Sequence, residues 1–410
     1  MASTLFRNLR LFDGVADSLA EGLEVLVEGE RIKEVADRPI AASGARVVDC
    51  GGRTLMPGLI DAHIHAYGVD ADLGRLDFLP RSLQALRAAE RLKDSLKRGF
   101  TTVRDAGGAD WGLKIAVDTG LIPGPRLFHP GRALSPTGGH GDMRPNIFLE
   151  QFCGCCAPTQ AISVIADGVD EVRKAVRAEL KRGAHAIKIM ASGGVASPSD
   201  PIYALQYSDE EIACAVWEAK AWRSYVLAHA YTPESISRAV RLGVRSIEHA
   251  NLIDAPTAGL MAEKGAFAVP TLVTYEALAD EGPALGLPEA SMRKLGDVKD
   301  AGLGSLEILK NAGVRMAFGT DLLAEMHARQ SDEFVIRRQV LPAAEVLRQA
   351  TSICASLLMQ EGELGVVKAG ALADLILVDG DPIADIGVLT GQGERIPFVM
   401  KGGAAMIDRL

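Results

Sequence analysis

The sequence has few aromatic side chains, a deficit of basic residues and no long apolar run. Phenylalanine, tryptophan and tyrosine make up 5% of the 410 residues, which argues against a stacking platform for sugars or bases. Lysine and arginine number 44 against 53 aspartates and glutamates, so the net charge is −9 and nucleic acid and anionic membranes are poor candidates for partners. No stretch approaches the roughly 18 apolar residues that span a membrane. With 48% hydrophobic residues, the chain can bury a large core.

The cysteines do not indicate a disulfide scaffold, because six in 410 residues are too few. Cys153, Cys155 and Cys156 have a spacing that could bind a soft metal. No second cysteine pair or nearby histidine pair completes a tetrahedron, so we interpret the three as reduced thiols in a loop. The first ten residues lack the apolar core of a signal peptide, and we therefore expect a cytoplasmic chain.

The two ends of the chain differ in pattern from its middle. Apolar runs at 22–27 and 373–378 are each followed by a turn, which predicts one small sheet domain built from residues 1–57 plus 363–410. Between them, in 58–362, eight short β-like runs alternate with amphipathic helices. This alternation predicts an α/β protein with a (β/α)8 TIM barrel.

Helix signals in the middle segment are specific. Ser208-Asp209-Glu210-Glu211 forms a capping box ahead of apolar residues at helical spacing. Thr232 can cap a further helix that has Pro233 at its first position. Each signal predicts a helix that starts after a β-like run or its loop.

The sharpest chemical signal is a pair of histidines, His63 and His65, in the run 61–65 directly after a Pro-Gly turn. Residues two apart on a strand face the same side, so both imidazoles can grip a single metal ion. Such pairs also occur on solvated strand edges, and the pair alone leaves both interpretations open.

Further polar residues lie within or close other β-like runs. Lys188 lies in 186–190, which otherwise reads as a buried parallel strand, where a bare ammonium is costly to desolvate. Either Lys188 reaches water from an edge, or its charge is neutralised or chemically converted. His229, His249 and Asp321 each close another run. Because the carboxyl ends of barrel strands meet at one mouth, these residues together predict an active site there.

These residues resemble the amidohydrolase superfamily over nearly the whole chain. The matching motifs are Pro57-Gly58-Leu59-Ile60-Asp61-Ala62-His63-Ile64-His65, Lys188, His229, Glu248-His249, Gly319-Thr320-Asp321 and the tail Gly365, Gly370 and Ala373-Asp374. The resemblance implies a (β/α)8 barrel flanked by a small β-sandwich that both chain ends form.

The resemblance also implies a site for two divalent metal ions, with zinc favoured. It assigns His63, His65 and Asp321 to one ion and His229 and His249 to the other. Lys188 would carry a carbamate derived from CO₂ that bridges the two ions, which also removes the cost of burying a cation. Mononuclear deaminase branches generally lack this lysine. Two ions that share a water lower its pKa toward about 7 and so give a bridging hydroxide. Asp321 would act as general base toward this hydroxide and then as general acid toward the leaving amine.

Two loops resemble a branch that groups imidazolonepropionase-like enzymes with dipeptidases. They are Ser135-Pro136-Thr137-Gly138-Gly139-His140-Gly141-Asp142 and His229-Ala230-Tyr231-Thr232. In dipeptidase-like members, the residues matching His140 and Tyr231 bind substrate near its C-terminal carboxylate. We therefore assign both to substrate binding and His140 also to catalysis. The alternatives are a solvated loop residue for His140 and a packed strand-end aromatic for Tyr231.

The sequence thus predicts a metal-dependent amidohydrolase that cleaves the amide bond before a C-terminal amino acid in a small molecule, with an Xaa-Pro dipeptide (prolidase activity) favoured. Alternatives are an amidase of aromatic N-acyl amino acids, a cyclic-amide hydrolase of the imidazolonepropionase or hydantoinase kind, and a catalytically silent scaffold. His327, shortly after Asp321, could touch substrate. We expect neither nucleic acid nor membrane as a partner, and a homo-oligomer because related enzymes often form dimers or rings.

Overall fold

The computed structural model describes residues 3–144, 162–197, 200–287 and 289–410. Cys153, Cys155 and Cys156 lie outside these ranges, so their interpretation stays a prediction. None of the helices in the described ranges has both the length and the apolar character that crossing a bilayer needs.

Eighteen strands and twelve α-helices follow one another along the described chain. The strands are β1 (Ser3–Leu11), β2 (Ala20–Glu28), β3 (Arg31–Ala36), β4 (Arg46–Asp49), β5 (Thr54–Pro57), β6 (Leu59–Ile64), β7 (Phe100–Asp105), β8 (Arg126–Phe128), β9 (Ala133–Ser135), β10 (Ser163–Ile165), β11 (Ile187–Met190), β12 (Val226–Ala230), β13 (Ser246–His249), β14 (Phe267–Val269), β15 (Arg315–Met316), β16 (Leu375–Val378), β17 (Phe398–Lys401) and β18 (Ala404–Asp408). The helices are α1 (Leu73–Leu76), α2 (Arg81–Lys97), α3 (Trp111–Asp118), α4 (Gly168–Lys181), α5 (Asp209–Ala221), α6 (Pro233–Arg241), α7 (Ala255–Lys264), α8 (Leu272–Glu281), α9 (Glu289–Asn311), α10 (Asp332–Arg338), α11 (Ala343–Arg348) and α12 (Cys354–Leu357).

The two chain ends lie in one eight-stranded sheet, in the order β18-β17-β16-β5-β1-β2-β3 with β4 also paired to β1. β16 runs antiparallel to β5, with Ile376 opposite Met56. Phe6 on β1 and Phe398 on β17 pack edge to face with ring centroids 5.6 Å apart. The apolar alternation of the terminal segments therefore builds a sheet that includes both ends.

The middle of the chain forms two parallel sheets. One has seven strands in the order β10-β9-β11-β12-β13-β14-β15, and the other has β6, β7 and β8. Every residue of β6, β7, β11, β12 and β13 is buried, as in parallel sheets that are covered on both faces. The predicted α/β class is confirmed.

Main-chain hydrogen bonds connect these two sheets at two places. Ala62 N donates to Phe318 O at 2.8 Å, and His185 N donates to His129 O at 2.8 Å. The first bond joins β6 to the segment after β15, and the second joins the segment after β8 to the segment before β11. The carboxyl ends of strands from both sheets therefore face a common region.

Both helix signals are found at the expected places. α5 starts at a capping box in which Ser208 N donates to Glu211 Oε2 at 2.6 Å and Glu211 N donates to Ser208 Oγ at 3.3 Å. α6 starts at Pro233, and Thr232 Oγ1 accepts from Ser235 N at 3.4 Å. These caps satisfy amide groups that the first turn of a helix leaves without partners.

Candidate active site

One cavity lies at the carboxyl ends of the parallel strands. Its lining includes every residue that the sequence predicted for the site, namely His63, His65, His140, Lys188, His229, Tyr231, His249 and Asp321. Residues that are up to 258 positions apart in sequence thus share one cavity, because the ends of neighbouring parallel strands meet at one edge.

Asp321 is the centre of a cluster of imidazoles. Its Oδ1 lies 3.3 Å from His63 Nε2 and 3.2 Å from His65 Nε2. His63, His249 and Asp321 each offer a ligand atom within 4.8 Å of the others. Two imidazole nitrogens and a carboxylate oxygen are a donor set that suits zinc and similar divalent ions.

This three-residue group combines ligands of both ions that the resemblance implies, since His249 was assigned to the second ion. His249 lies close to ligands of both ions, because its ring centroid is 5.1 Å from that of His63 and 4.5 Å from that of His229. The two sets therefore adjoin each other across His249.

Each predicted histidine ligand has one ring nitrogen engaged by a neighbouring group. The contacts are His63 Nδ1 with Glu248 Oε2 at 2.6 Å, His65 Nδ1 with Gly107 O at 2.9 Å, His249 Nδ1 with Thr271 Oγ1 at 2.8 Å, and His229 Nε2 with Gly193 O at 3.2 Å. Such contacts fix the tautomer and the ring orientation, as they do around known metal sites. They leave Nε2 of the first three histidines and Nδ1 of His229 as the nitrogens for a metal.

Lys188 lies on β11 between β9 and β12 and is 2% exposed, so it does not reach water from a sheet edge. Burial lowers the pKa of Lys188 from 10.5 to about 8, while the carboxylates of Glu248 and Asp321 oppose this shift. A lysine with this pKa is neutral more often near pH 7 than an exposed one. The neutral amine is the form that can act as a nucleophile.

Two carboxylates stay ionised in this cluster. Burial alone would raise the pKa of Asp321, but His63 and His65 hold it well below its usual range. Burial opposes ionisation of Glu248 too, and the Arg104 guanidinium, whose Nη2 lies 2.7 Å from Glu248 Oε2, lowers the pKa of that carboxyl well below its usual range. The cluster therefore offers negative charge to a cation.

His140 and Tyr231 each contact one of the metal-ligand candidates. The His140 ring stacks on His229 with centroids 4.2 Å apart, and the Tyr231 ring stacks on His249 with centroids 5.1 Å apart. His140 is 7% exposed, so it is not a solvated loop residue. Its main-chain N donates to Gln206 Oε1 at 2.9 Å. Both side chains thus contact the cluster and the cavity.

Tyr275 belongs to the site but was not predicted. Its hydroxyl lies 2.9 Å from the Tyr231 hydroxyl and 3.1 Å from His249 Nδ1. It is on α8, past the end of β14, where no motif marks it. The available signal was the rule that polar residues just after parallel strands lie at the carboxyl edge of the sheet, where active sites form.

Nine apolar residues also line the cavity and form its apolar wall. They are Leu73, Leu76, Met143, Ile162, Met190, Val195, Ala196, Leu278 and Leu323. His327, in a 3-10 helix at Ala324–Arg329, is not among the described lining residues. The cavity therefore combines a cluster of metal-ligand candidates with a surface that suits an apolar substituent.

The backbone has positive φ angles at two predicted ligands that lie at or after a strand end. His249 has φ 77°, Ala250 has φ 57° and Asp321 has φ 54°, a left-handed region that residues other than glycine rarely adopt. Conformations of this kind cost energy and persist where the surrounding structure imposes them, often at functional sites.

The chain belongs to the amidohydrolase family, whose sequence model matches residues 54–405. This confirms the predicted resemblance. A solved amidohydrolase structure is 53% identical, each chain covers all of the other, and the TM-score is 0.98. A solved prolidase in complex with N-methylphosphonate-L-proline is 51% identical over 99% of this chain and 100% of its own, with a TM-score of 0.97. Ochratoxinase from Aspergillus niger is 34% identical over 363 residues, which are 85% of this chain and 75% of that enzyme. The chain is a hydrolase, and its family generally uses divalent metals.

Proposed function

We propose that this enzyme hydrolyses the amide bond before a C-terminal amino acid in dipeptides, with Xaa-Pro dipeptides as favoured substrates. The observation that carries the proposal is the position of His140 and Tyr231, whose rings stack on His229 and His249 beside the Asp321 cluster. There they can bind a substrate carboxylate while the amide lies at the cluster. The similar prolidase that binds a proline derivative supports this substrate class.

The fold that supports this chemistry is a closed (β/α)8 barrel formed by residues 58–362. The hydrogen bonds from Ala62 N to Phe318 O and from His185 N to His129 O support closure, since they connect the two parallel sheets at two separate places. Residues 1–57 plus 363–410 form the accompanying β-sandwich domain, supported by the sheet that both chain ends share.

The residues fit two divalent ions, and zinc is the favoured metal. His63, His65 and Asp321 would hold one ion, His229 and His249 the other, and Lys188 would bridge them as a carbamate. The fit rests on the ring nitrogens that the neighbouring contacts leave unengaged and on Lys188, which is 2% exposed beside ionised carboxylates. When bound, the ions supply Lewis acidity that activates water and polarises the amide carbonyl.

The side chains of this chain have separate tasks in the reaction. Asp321 accepts a proton from the attacking water and delivers it to the leaving nitrogen, which is otherwise too basic to depart. Tyr231 donates its hydroxyl hydrogen and His140 a ring N–H to the substrate carboxylate. The apolar wall receives the side chain of the acyl residue and keeps bulk water from it.

The direct test is release of free amino acid from a panel of Xaa-Yaa dipeptides and N-acyl amino acids. The protein is loaded with zinc in the presence of bicarbonate, and its metal content is measured. We expect turnover concentrated on C-terminal proline and abolished in Asp321→Asn. Asp280→Asn, which changes an exposed carboxylate paired with Arg329 at 2.8 Å, is the matched control and should retain activity. A protein that holds two ions per chain and releases nothing across the panel would refute the proposal.

An amidase of aromatic N-acyl amino acids is the second candidate. The apolar wall of the cavity favours it, because a large acyl group needs apolar contact surface. Ochratoxinase, an amide hydrolase, also supports amide substrates that are not dipeptides. The same panel separates the two candidates by whether the dipeptides or the N-acyl amino acids have the higher kcat/KM.

A further inference from the structure

Lys294 on α9 binds a chain segment that lies about a hundred residues earlier in the sequence. Its Nζ donates to Gly194 O at 2.6 Å, to Ser197 O at 2.5 Å and to Asp200 O at 2.8 Å. An ammonium group has three donors and no acceptor, so all three hydrogens are directed at this one segment between β11 and α5.

The segment that Lys294 binds touches two residues of the proposed active site. Gly193 O lies 3.2 Å from His229 Nε2, and Gly194 N donates to Asp200 Oδ2 at 3.1 Å. Gly194 has no room for a side chain, because an added Cβ would lie 2.3 Å from His140 Cε1 and 2.6 Å from His229 Nε2. The backbone at 193–194 therefore lies directly against both imidazole rings.

The main-chain groups of Gly194 are fixed from two directions. Asp200 accepts from its amide, and Lys294 donates to its carbonyl. Without the ammonium, three carbonyls that now accept charge-assisted hydrogen bonds would lose their partner together. A displacement of the segment would move the carbonyl that holds His229 and remove the contact that supports His140.

We infer that Lys294 is a positioning residue for this active site. Its ammonium holds the 193–197 segment and Asp200 so that Gly193 O orients the His229 ring and Gly194 supports the His140 ring. Lys294 itself does not touch the substrate. The kinetic readout of this inference rests on the proposed function, whereas its structural readout does not.

The kinetic test compares Lys294→Met with Lys299→Met. Lys299 is on the same helix and pairs with Glu276 at 3.1 Å on the surface, so it is a matched control. In Lys294→Met we expect KM for an Xaa-Pro dipeptide to rise about tenfold or more, because carboxylate binding by His140 is disturbed, while kcat falls less than about threefold. Lys299→Met should leave both constants unchanged. An unchanged KM in Lys294→Met would overturn the inference.

Chemical rescue separates this role from a general loss of stability. In Lys294→Ala, ethylammonium at increasing concentration should lower KM toward the wild-type value, because a small amine can replace the lost ammonium. Tetramethylammonium carries the same charge but no N–H donor and should have no effect. Equal effects of the two cations, or no rescue in a variant that remains folded, would contradict the assignment.

The structural readout is hydrogen–deuterium exchange in the metal-loaded protein. The peptide that contains the Gly194 amide should exchange faster in Lys294→Met than in the wild type and in Lys299→Met. This holds even if the wild type hydrolyses no dipeptide, so failure of the proposed function and failure of the inference are distinguishable. If Lys294→Met does not fold, Lys294→Gln, which keeps two donors, should exchange at an intermediate rate. Unchanged exchange in the folded variant refutes the inference.

Discussion

Glu248→Gln should weaken metal binding, although Glu248 is not itself a proposed metal ligand. Glu248 is fully buried, and its Oε2 lies 2.6 Å from His63 Nδ1 and 2.7 Å from Arg104 Nη2. Glutamine keeps the shape and removes the charge. Its amide can also present NH₂ to His63 Nδ1, which selects the tautomer with hydrogen on Nε2, the nitrogen that lies 3.3 Å from Asp321 Oδ1.

The expected size of the effect follows from these contacts. Loss of the group that orients a ligating histidine typically costs about 10–100-fold in metal affinity, which is roughly 1.4–2.7 kcal/mol. Arg104 is left as a buried cation without its carboxylate, and breaking such a pair costs about 3–5 kcal/mol of folding free energy. We therefore expect weaker metal binding and a lower free energy of unfolding in the same variant.

The assay is a titration of zinc or cobalt against a chromophoric chelator, with denaturant unfolding of the metal-free protein alongside. Glu218→Gln is the matched control, since this buried glutamate pairs with Arg177 at 2.8 Å and Arg173 at 3.3 Å and does not line the described cavity. It should lose stability and keep wild-type metal affinity. A Glu248→Gln protein that binds metal as tightly as the wild type would refute the proposed role of His63 as a ligand held by Glu248.

Three further perturbations test other parts of the site and fold. Tyr231→Phe should raise KM for Xaa-Pro dipeptides about tenfold, because the carboxylate loses one donor; steady-state kinetics check this, and an unchanged KM would favour a cyclic-amide substrate. Gly319→Ala places a Cβ 2.8 Å from His63 Cβ and should cost about 1–3 kcal/mol of unfolding free energy; an unchanged denaturation midpoint would contradict the crowding. Burial lowers the pKa of His129 to about 3, below the value of about 6.5 for an unfolded chain. The unfolded chain thus takes up the proton first, so stability is lost as pH falls from 6.5 toward 3, by roughly 5 kcal/mol at most. His129→Asn should make the free energy of unfolding depend less on pH, which denaturant unfolding at several pH values measures. An unchanged pH dependence in the variant would show that other groups cause it.

Local sequence patterns predicted the helices and strands, and the side chains that lie at the strand ends in the site. The capping box at Ser208 and Glu211 opens α5, because it satisfies helix amides with residues three apart. His63 and His65 face the same cavity, because alternation along an extended chain is a local property. These features need no knowledge of distant parts of the chain.

The contacts that orient the ligands could not be predicted in this way. Tyr275 reaches the site from a helix, and Gly193 contributes a main-chain carbonyl that no side-chain motif reveals. Lys294 meets its carbonyls across about a hundred residues of sequence. Such contacts depend on how elements distant in sequence pack against each other. No local spacing pattern in a single sequence predicts that packing.

Strand register links these two levels. Ala230 on β12 lies opposite His249 on β13, and Met190 on β11 lies opposite His229. Two of the histidine rings are oriented by a group that follows a neighbouring strand. Gly193, after β11, orients His229, and Thr271, after β14, orients His249. A slip of one residue between neighbouring strands would turn every side chain to the opposite face and separate each ring from its partner. The fold therefore fixes the register, and the register fixes both the ligands and the groups that orient them.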